Sequence, residues 1–347
     1  MGTADPSEWH ADRAQITLRP VSRAPVRVLV TIDTEEDGLW SGEYRRQAHA
    51  LTNLEGLRSL SAVLDACRQP GTYLVTWPVA ADPKAAALVA RAVEGGRGEV
   101  GSHLHSWSCP PHDPVEMQLP LYPHCLPPAL QQAKLSELSG LIARVFGRAP
   151  VSYRAGRWGF GPSSIGPLLA TGHRIDSSVV PGWWQKGRGA PQFAGAPSTP
   201  YAVDETDPLR PGASDLLEVP VTTGFVDPEA PLSRLAALIP PWLPGGRRAR
   251  QAAGFTILRP ALHDRAALLA LVRAALAAGA PVLNLMLHSS EMAPGHSPYS
   301  RTGAERDDLL ERVRAVLEAA GAEGAVPATL AAVALQPAEP RIGAPST

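Results

Sequence analysis

Apolar, β-branched runs alternate with Ala/Leu-rich stretches of helical length along most of the chain, and this rhythm constrains the fold more than any other feature. The runs VRVLVTI (26–32), TYLVTW (72–77), EVGSHLH (99–105), VSYRA (151–155), RIDSSVV (174–180), LLEVPVT (216–222) and VLNLMLH (282–288) predict strands. Helices are expected near 54–67, 83–94, 128–146, 162–170, 264–278 and 304–320. Parallel strands need long crossovers, so this order predicts an α/β fold, either a parallel sheet or an α/β barrel. Segments 181–215 and 226–254 break the rhythm with Pro, Gly and Trp and read as loop insertions. The 31 Gly and 36 Pro among 347 residues fit such long, turn-rich connections. Residues 1–24 and 335–347 read as tails around one domain spanning 25–334.

Charge excludes several function classes. Thirty-two basic residues against 33 acidic ones leave a net charge of -1, which gives no electrostatic footprint for nucleic acid or an anionic membrane. Cys67, Cys109 and Cys125 form no CxxC spacing, so neither a disulfide framework nor a thiolate zinc site is expected. The longest apolar runs are too short to span a bilayer, and residues 1–20 do not read as a secretory signal, so a soluble cytoplasmic protein is expected. No GxGxxG or P-loop motif follows an early strand, which leaves dinucleotide and nucleoside-triphosphate chemistry without support. The sequence leaves the oligomeric state open.

In parallel α/β architectures, chemistry gathers where strands end. Asp33 and Glu35 close the first strand two residues apart, so an extended chain points them the same way. Asp33 alone reads equally as a helix cap or solvated acid, and Glu36 and Asp37 read as helix caps or solvated loop residues. His103 and His105 repeat the two-residue spacing, which lets both imidazoles reach one metal or simply hydrogen-bond in a loop. Arg154 and Arg157 lie among glycines, where a guanidinium can hold a carboxylate or serve as a surface charge. His288 follows a buried strand and reads as structural or catalytic, while Ser289 and Ser290 lack a GxSxG elbow.

Taken in order, TIDTEED, EVGSHLHSW, SYRAGRWG, RIDSSVV, LLEVPVT and LMLHSSEM resemble the successive motifs of polysaccharide deacetylases, carbohydrate esterase family 4 with its NodB homology domain. The resemblance runs from about Val26 to Leu330 and is nearest to a divergent, lipopolysaccharide-biosynthesis-associated branch with an HLHxW second motif. It implies a distorted (β/α) barrel with long loop insertions that hydrolyses an N-acetyl group from a sugar with a divalent metal. By position Asp33 takes the base role and Glu35 a ligand role, one residue further apart than usual. His103 is the first metal histidine, and the second moves to His105 because Trp107 occupies its usual place. Arg154 matches the arginine that orients the base, Asp176 falls in the fourth-motif region, and His288 keeps the general-acid role.

The metal implied is zinc, although carboxylate plus imidazole ligands also tolerate cobalt, nickel or manganese. Trp107, Arg157, Trp158 and Asp176 are the expected substrate contacts, and Trp183 and Trp184 are further rings able to stack on a sugar or to plug the loops. Three other readings stay open: an amidase acting on a small or cyclic amide, with or without metal, a hydrolase deacylating at oxygen, and a glycan-binding pseudoenzyme.

Overall fold

The computed structural model describes residues 24–42 and 44–334, so the two expected tails lie, but for residue 24, outside the described residues. In chain order the strands are β1 (Arg27–Thr34), β2 (Gly71–Val75), β3 (Gly98–Leu104), β4 (Ser152–Ala155), β5 (Ile175–Asp176), β6 (Tyr201–Ala202), β7 (Leu217–Glu218), β8 (Thr223–Phe225), β9 (Phe255–Ile257), β10 (Val282–His288) and β11 (Val326–Ala328). The main sheet runs β10-β1-β2-β3-β4-β5-β7-β6, with β11 also paired to β1. Its ladders are parallel except for β6 against β7. Asp33 pairs with His288, and His103 with Arg154, so residues far apart in sequence arrive at one end of the sheet.

The sheet curls into a distorted barrel whose last seam is closed by irregular backbone. Beyond β7, Val219 N donates to Asp176 O (2.8 Å), Val221 N to Val179 O (3.0 Å) and Thr222 N to Asn284 O of β10 (3.2 Å). Leu258 N donates to Thr222 O (2.8 Å), and Met286 N to Leu258 O (3.1 Å). These bonds satisfy backbone groups that an open barrel would leave buried and unpaired.

The expected helices form with the terminal chemistry their sequences encode. Asp82 caps Pro83–Val93 through the amides of Lys84 and Ala85. Gly147, at φ 76°, ends Pro128–Phe146 in a left-handed turn. Thr302 and Glu305 make a reciprocal capping box at Gly303–Ala322. RIDSSVV and LLEVPVT yield only two-residue strands, because Ser177 and Ser178 turn their side chains to nearby polar groups instead of extending the ladder. Ser177 Oγ donates to Val219 O (2.8 Å), and Ser178 Oγ to Asp176 Oδ1 (2.6 Å). The insertions carry structure of their own: β6 in the first, helices Pro231–Ala237 and Gly246–Ala252 in the second.

Alternation along β1 divides the core. Val28, Val30 and Ile32 join the large apolar cluster with Leu57, Leu60 and Val313 of the surrounding helices. Leu29 belongs to a smaller cluster with Leu74, Ile175, Val219, Val282 and Leu330, which floors the barrel. Above that floor lies a polar layer of Thr31, Arg154, Ser177 and Asn284, all buried and hydrogen-bonded to one another. The ionisable residues occupy the layer above it, at the C-terminal ends of β1, β3 and β10.

Candidate active site

Asp33 ends the inward row of β1. Its Oδ1 accepts from Arg154 Nη1 at 2.7 Å, and its Oδ2 faces His288 Nε2 at 3.7 Å and His103 Nε2 at 3.9 Å. Arg154 is fully buried, and its other donors go to Ser177 O (2.6 Å), Thr31 Oγ1 (2.8 Å) and Ser177 Oγ (2.9 Å). One carboxylate oxygen is thereby fixed, and the other is left facing the histidines.

Glu35, His103 and His105 form the second part of the site. Their donor atoms lie within 4.8 Å of one another, and all three residues are buried. Glu35 Oε2 is 3.4 Å from His105 Nε2 and 3.6 Å from His103 Nε2. Two ligands each about 2.1 Å from a tetrahedral ion sit about 3.4 Å apart, so this spacing fits one small cation. The tautomers fit as well. His103 Nδ1 lies 2.9 Å from Arg154 O, an acceptor only, so Nδ1 carries the proton and Nε2 offers its lone pair. His105 Nδ1 donates to Glu36 Oε1 at 2.9 Å, with the same outcome at Nε2.

Charge in this dry pocket is strongly coupled. Burial raises the Glu35 carboxyl, but the nearby His288 charge and hydrogen bonds from His103 and His105 outweigh it and hold Glu35 well below the usual carboxylate range. Burial likewise opposes ionisation of Glu36, yet His105 brings its pKa down to about 2. Desolvation disfavours a charged His105, and the Glu36 and Glu35 carboxylates override it, raising the ring to about 10. At the other wall, Arg259 Nε donates to Glu291 Oε1 (3.2 Å), and that oxygen lies 3.3 Å from His288 Nδ1. Despite burial, Arg259 and then His288 lower Glu291 to about 2.

The local backbone is built around these side chains. A Cβ on Gly156 would come 2.6 Å from His105 Cδ2 and 2.5 Å from Leu104 O, so only glycine lets β4 turn beneath the histidine. Arg157 and Trp158 follow with φ of 54° and 61°, left-handed values that are strained for bulky residues. That turn sets Trp158 against the Arg154 guanidinium (5.3 Å) and Arg157 between the Tyr44 and Tyr122 rings (5.0 Å each). Buried Lys134 pins the loop after β3 by donating to Cys109 O (2.5 Å) and Pro111 O (2.8 Å) and pairing with Glu116 (3.1 Å). A cavity of about 290 Å³ opens over the group, walled by Trp40, Tyr44, Trp107, Trp158, Trp183 and Tyr299.

The structure brings Asp33, Glu35, His103, His105, Arg154, Arg157, Trp158 and His288 together at this cavity, Arg154 from just beneath its floor. It corrects two sequence-based expectations. Asp176 does not reach the cavity: it lies on the opposite face of β5 from the inward Ile175 and Ser177, bonded to Ser178 and paired with buried Glu218. Trp107 lines the cavity wall and is only 4% exposed; it also stacks on His105 (centroids 4.3 Å apart) and donates to Glu36 Oε1 (3.2 Å), so it braces that imidazole. Glu36 and Asp37 are not solvated loop acids: Glu36 orients His105, and Asp37 gathers the Thr52 and Asn53 amides. Sequence reasoning missed Arg259 and Glu291; the signal for the latter was its place three residues after His288, from which Glu291 Oε2 also accepts the His288 amide (3.0 Å). Ser289 and Ser290 serve as acceptors for Glu35 N and Trp40 Nε1, in keeping with the lack of a nucleophile elbow.

No protein-family model and no curated protein matches the sequence. Solved structures do match. A protein of Parabacteroides distasonis assigned as a glycoside hydrolase/deacetylase aligns with a TM-score of 0.55 at 14% identity, over 89% of this chain and 71% of that one. The Puue allantoinase aligns with a TM-score of 0.50 at 14% identity, over 90% of this chain and 93% of that one. The fold is the deacetylase-type distorted barrel. A protein of Mycobacterium smegmatis assigned as a polysaccharide deacetylase is 20% identical over 88% of this chain and 94% of that one, with a TM-score of 0.45. Among the described residues no helix is long and apolar enough to cross a membrane, and the three cysteines are unpaired.

Proposed function

We propose that this chain is a metal-dependent hydrolase of the polysaccharide-deacetylase type that removes an N-acetyl group from a sugar. The observation carrying the reading is the Asp33 carboxylate, fixed at one oxygen by Arg154 and open at the other beside both the Glu35–His103–His105 group and His288. Glu35, His103 and His105 would hold a divalent ion, zinc by the donor set, which when bound supplies Lewis-acid polarisation of the acyl carbonyl and an acidified water. Asp33 Oδ2 accepts the proton of the attacking water, and Arg154 keeps that oxygen aimed at the reaction. His288 Nδ1 lies between Arg259 Nη2 (3.0 Å) and Glu291 Oε1 (3.3 Å), which turns Nε2 to the cavity, where the protonated ring would donate to the departing amine. The aromatic walls, with Trp158 and Trp183 among them, suit stacking on a sugar face, and Arg157 reaches the same space.

Elemental analysis of the purified protein, with His103→Ala and His105→Ala beside the wild type, tests the reading first. Near-stoichiometric metal lost in both variants, followed by acetate release from N-acetyl sugars, is the expected result. Absence of metal after reconstitution overturns it. Shared fold with the Puue allantoinase supports a second reading, hydrolysis of a small or cyclic amide, so the substrate panel includes one cyclic amide and one O-acetyl ester.

A further inference from the structure

The active-site cavity is not a closed pocket. Trp183, Leu262 and Tyr299 line both it and a second cavity of about 210 Å³, formed where the second insertion folds over the barrel mouth. Two arginines of helix Gly246–Ala252, Arg247 and Arg250, line this second space, and no Asp or Glu does so among the described residues. The Arg250 guanidinium packs over Phe255 (4.6 Å) and Phe225 (5.3 Å), and Arg247 packs over Trp183 (4.9 Å). Buried Arg250 Nε and Trp183 Nε1 have no hydrogen-bond partner. Gly182, at φ 77°, is required here, because a Cβ would come 2.8 Å from Phe255 and 3.0 Å from Arg250 Nη2. Burial also pushes the Arg250 pKa down, the response of a cation held without a counter-charge.

The charged lining of this second cavity is cationic, and although Arg250 Nη1 donates to Ala237 O (3.4 Å), Arg250 Nε and Trp183 Nε1 are donors without an acceptor. Guanidinium and indole N–H groups only donate, and arginine forks match phosphoryl oxygens two at a time. Resting on the proposed deacetylase reading, we infer that the substrate is an acylated sugar carrying a phosphoryl group, with the sugar over Asp33 and His288 and the phosphoryl oxygens bound by Arg247 and Arg250. The phosphoryl group belongs to a sugar phosphate, a nucleotide-linked sugar or a lipid-linked sugar, all of which present the same oxygens to the arginines.

The test is calorimetric titration of the full chain with N-acetylglucosamine 1-phosphate and with N-acetylglucosamine, alongside acetate release from each. The phosphorylated sugar should bind roughly ten- to a hundredfold more tightly, with affinity falling as salt rises. Arg247→Ala and Arg250→Lys should each shrink that difference, and inorganic pyrophosphate should compete. Arg247 is exposed, so its variant folds whatever happens at Arg250, and a melting curve checks both. A UDP-linked sugar in solution and the same sugar on a polyprenyl diphosphate in vesicles tell the sources apart. Equal affinity for the phosphorylated and plain sugars, or a difference untouched by both variants, overturns the inference. Selective binding without acetate release leaves the phosphoryl site standing and removes the deacetylase; acetate release without selectivity does the reverse.

Discussion

Glu36 offers the sharpest test of how the site is braced. It is 2% exposed, stays ionised through the neutral range with a pKa of about 2, and one of its oxygens receives both His105 Nδ1–H and Trp107 Nε1–H. In the proposed metal centre it would fix the ring so that Nε2 faces Glu35 and make that nitrogen a better ligand. Glu36→Gln keeps an acceptor near the ring and loses the charge. Zinc affinity should fall about 10- to 100-fold, equivalent to about 1.4–2.8 kcal/mol. Glu36→Ala strands two buried donors as well, at about 1–3 kcal/mol each, so it should also lower the melting temperature of the metal-free protein. Competition against a chromophoric chelator at pH 7.5 gives the affinities, and circular dichroism gives the melts. Affinities of both variants within twofold of wild type, while His105→Ala abolishes binding, would refute the bracing role.

Other perturbations separate positioning from stability. Gly156→Ala should displace His105 and cost at least tenfold in zinc affinity, since the added Cβ meets the ring at 2.6 Å; unchanged affinity on the same chelator titration would show that the turn has room. Arg154→Met leaves Asp33 buried without its partner and should lose about 3–5 kcal/mol in urea denaturation, a loss under 1 kcal/mol counting against the pair as drawn. Burial and the neighbouring Asp176 hold the Glu218 carboxyl well above the usual range, so the folded chain keeps a proton there that the unfolded chain releases above its ordinary value near 4.5. The contribution of this group to stability therefore falls as pH rises beyond that value, by up to about 1.4 kcal/mol per pH unit, and Glu218→Gln should gain on wild type as pH rises above 4.5. A pH-independent difference in urea denaturation would contradict that assignment.

What could be read in advance followed local periodicity. Asp33 with Glu35, and His103 with His105, sit at two-residue spacing on strand ends, and the strand repeat alone places each pair on one face. The helices over 83–94, 128–146 and 304–320 follow an equally local pattern. Asp176 failed because β5 lasts two residues, and a one-residue change of register moves a side chain to the other face. Glu36 failed because its partner His105 lies 69 positions away, and nothing beside Glu36 in the chain encodes the contact. Arg259 stands just beyond β9, after an insertion that breaks the α/β rhythm, and it acquires meaning only when Leu258 bridges to β10. β11 escaped notice because its three residues include a proline and pair along only part of β1.

The charge inventory of the barrel mouth ties these residues together. Asp33, Glu35, Glu36 and Glu291 bring four carboxylates into a space where each is buried, and Arg154 and Arg259 return two positive charges. Formal ionisation leaves a deficit of two, which a low-dielectric site does not tolerate uncompensated. In the metal-free chain protons make up part of that deficit, and this is why the His105 ring is driven up to about 10. A divalent cation on Glu35, His103 and His105 balances the same deficit with the histidines neutral, the form in which their Nε2 lone pairs are free. Binding must then expel protons from the ligands, coupling metal affinity to pH. A monovalent ion would leave the mouth short of positive charge, and the spacing of about 3.4 Å between donors is that of a small ion rather than a large one. The geometry and the charge balance thus support the same proposed occupant by separate routes: one counts distances between three donor atoms, the other counts charges contributed by residues of which five lie outside the proposed ligand set.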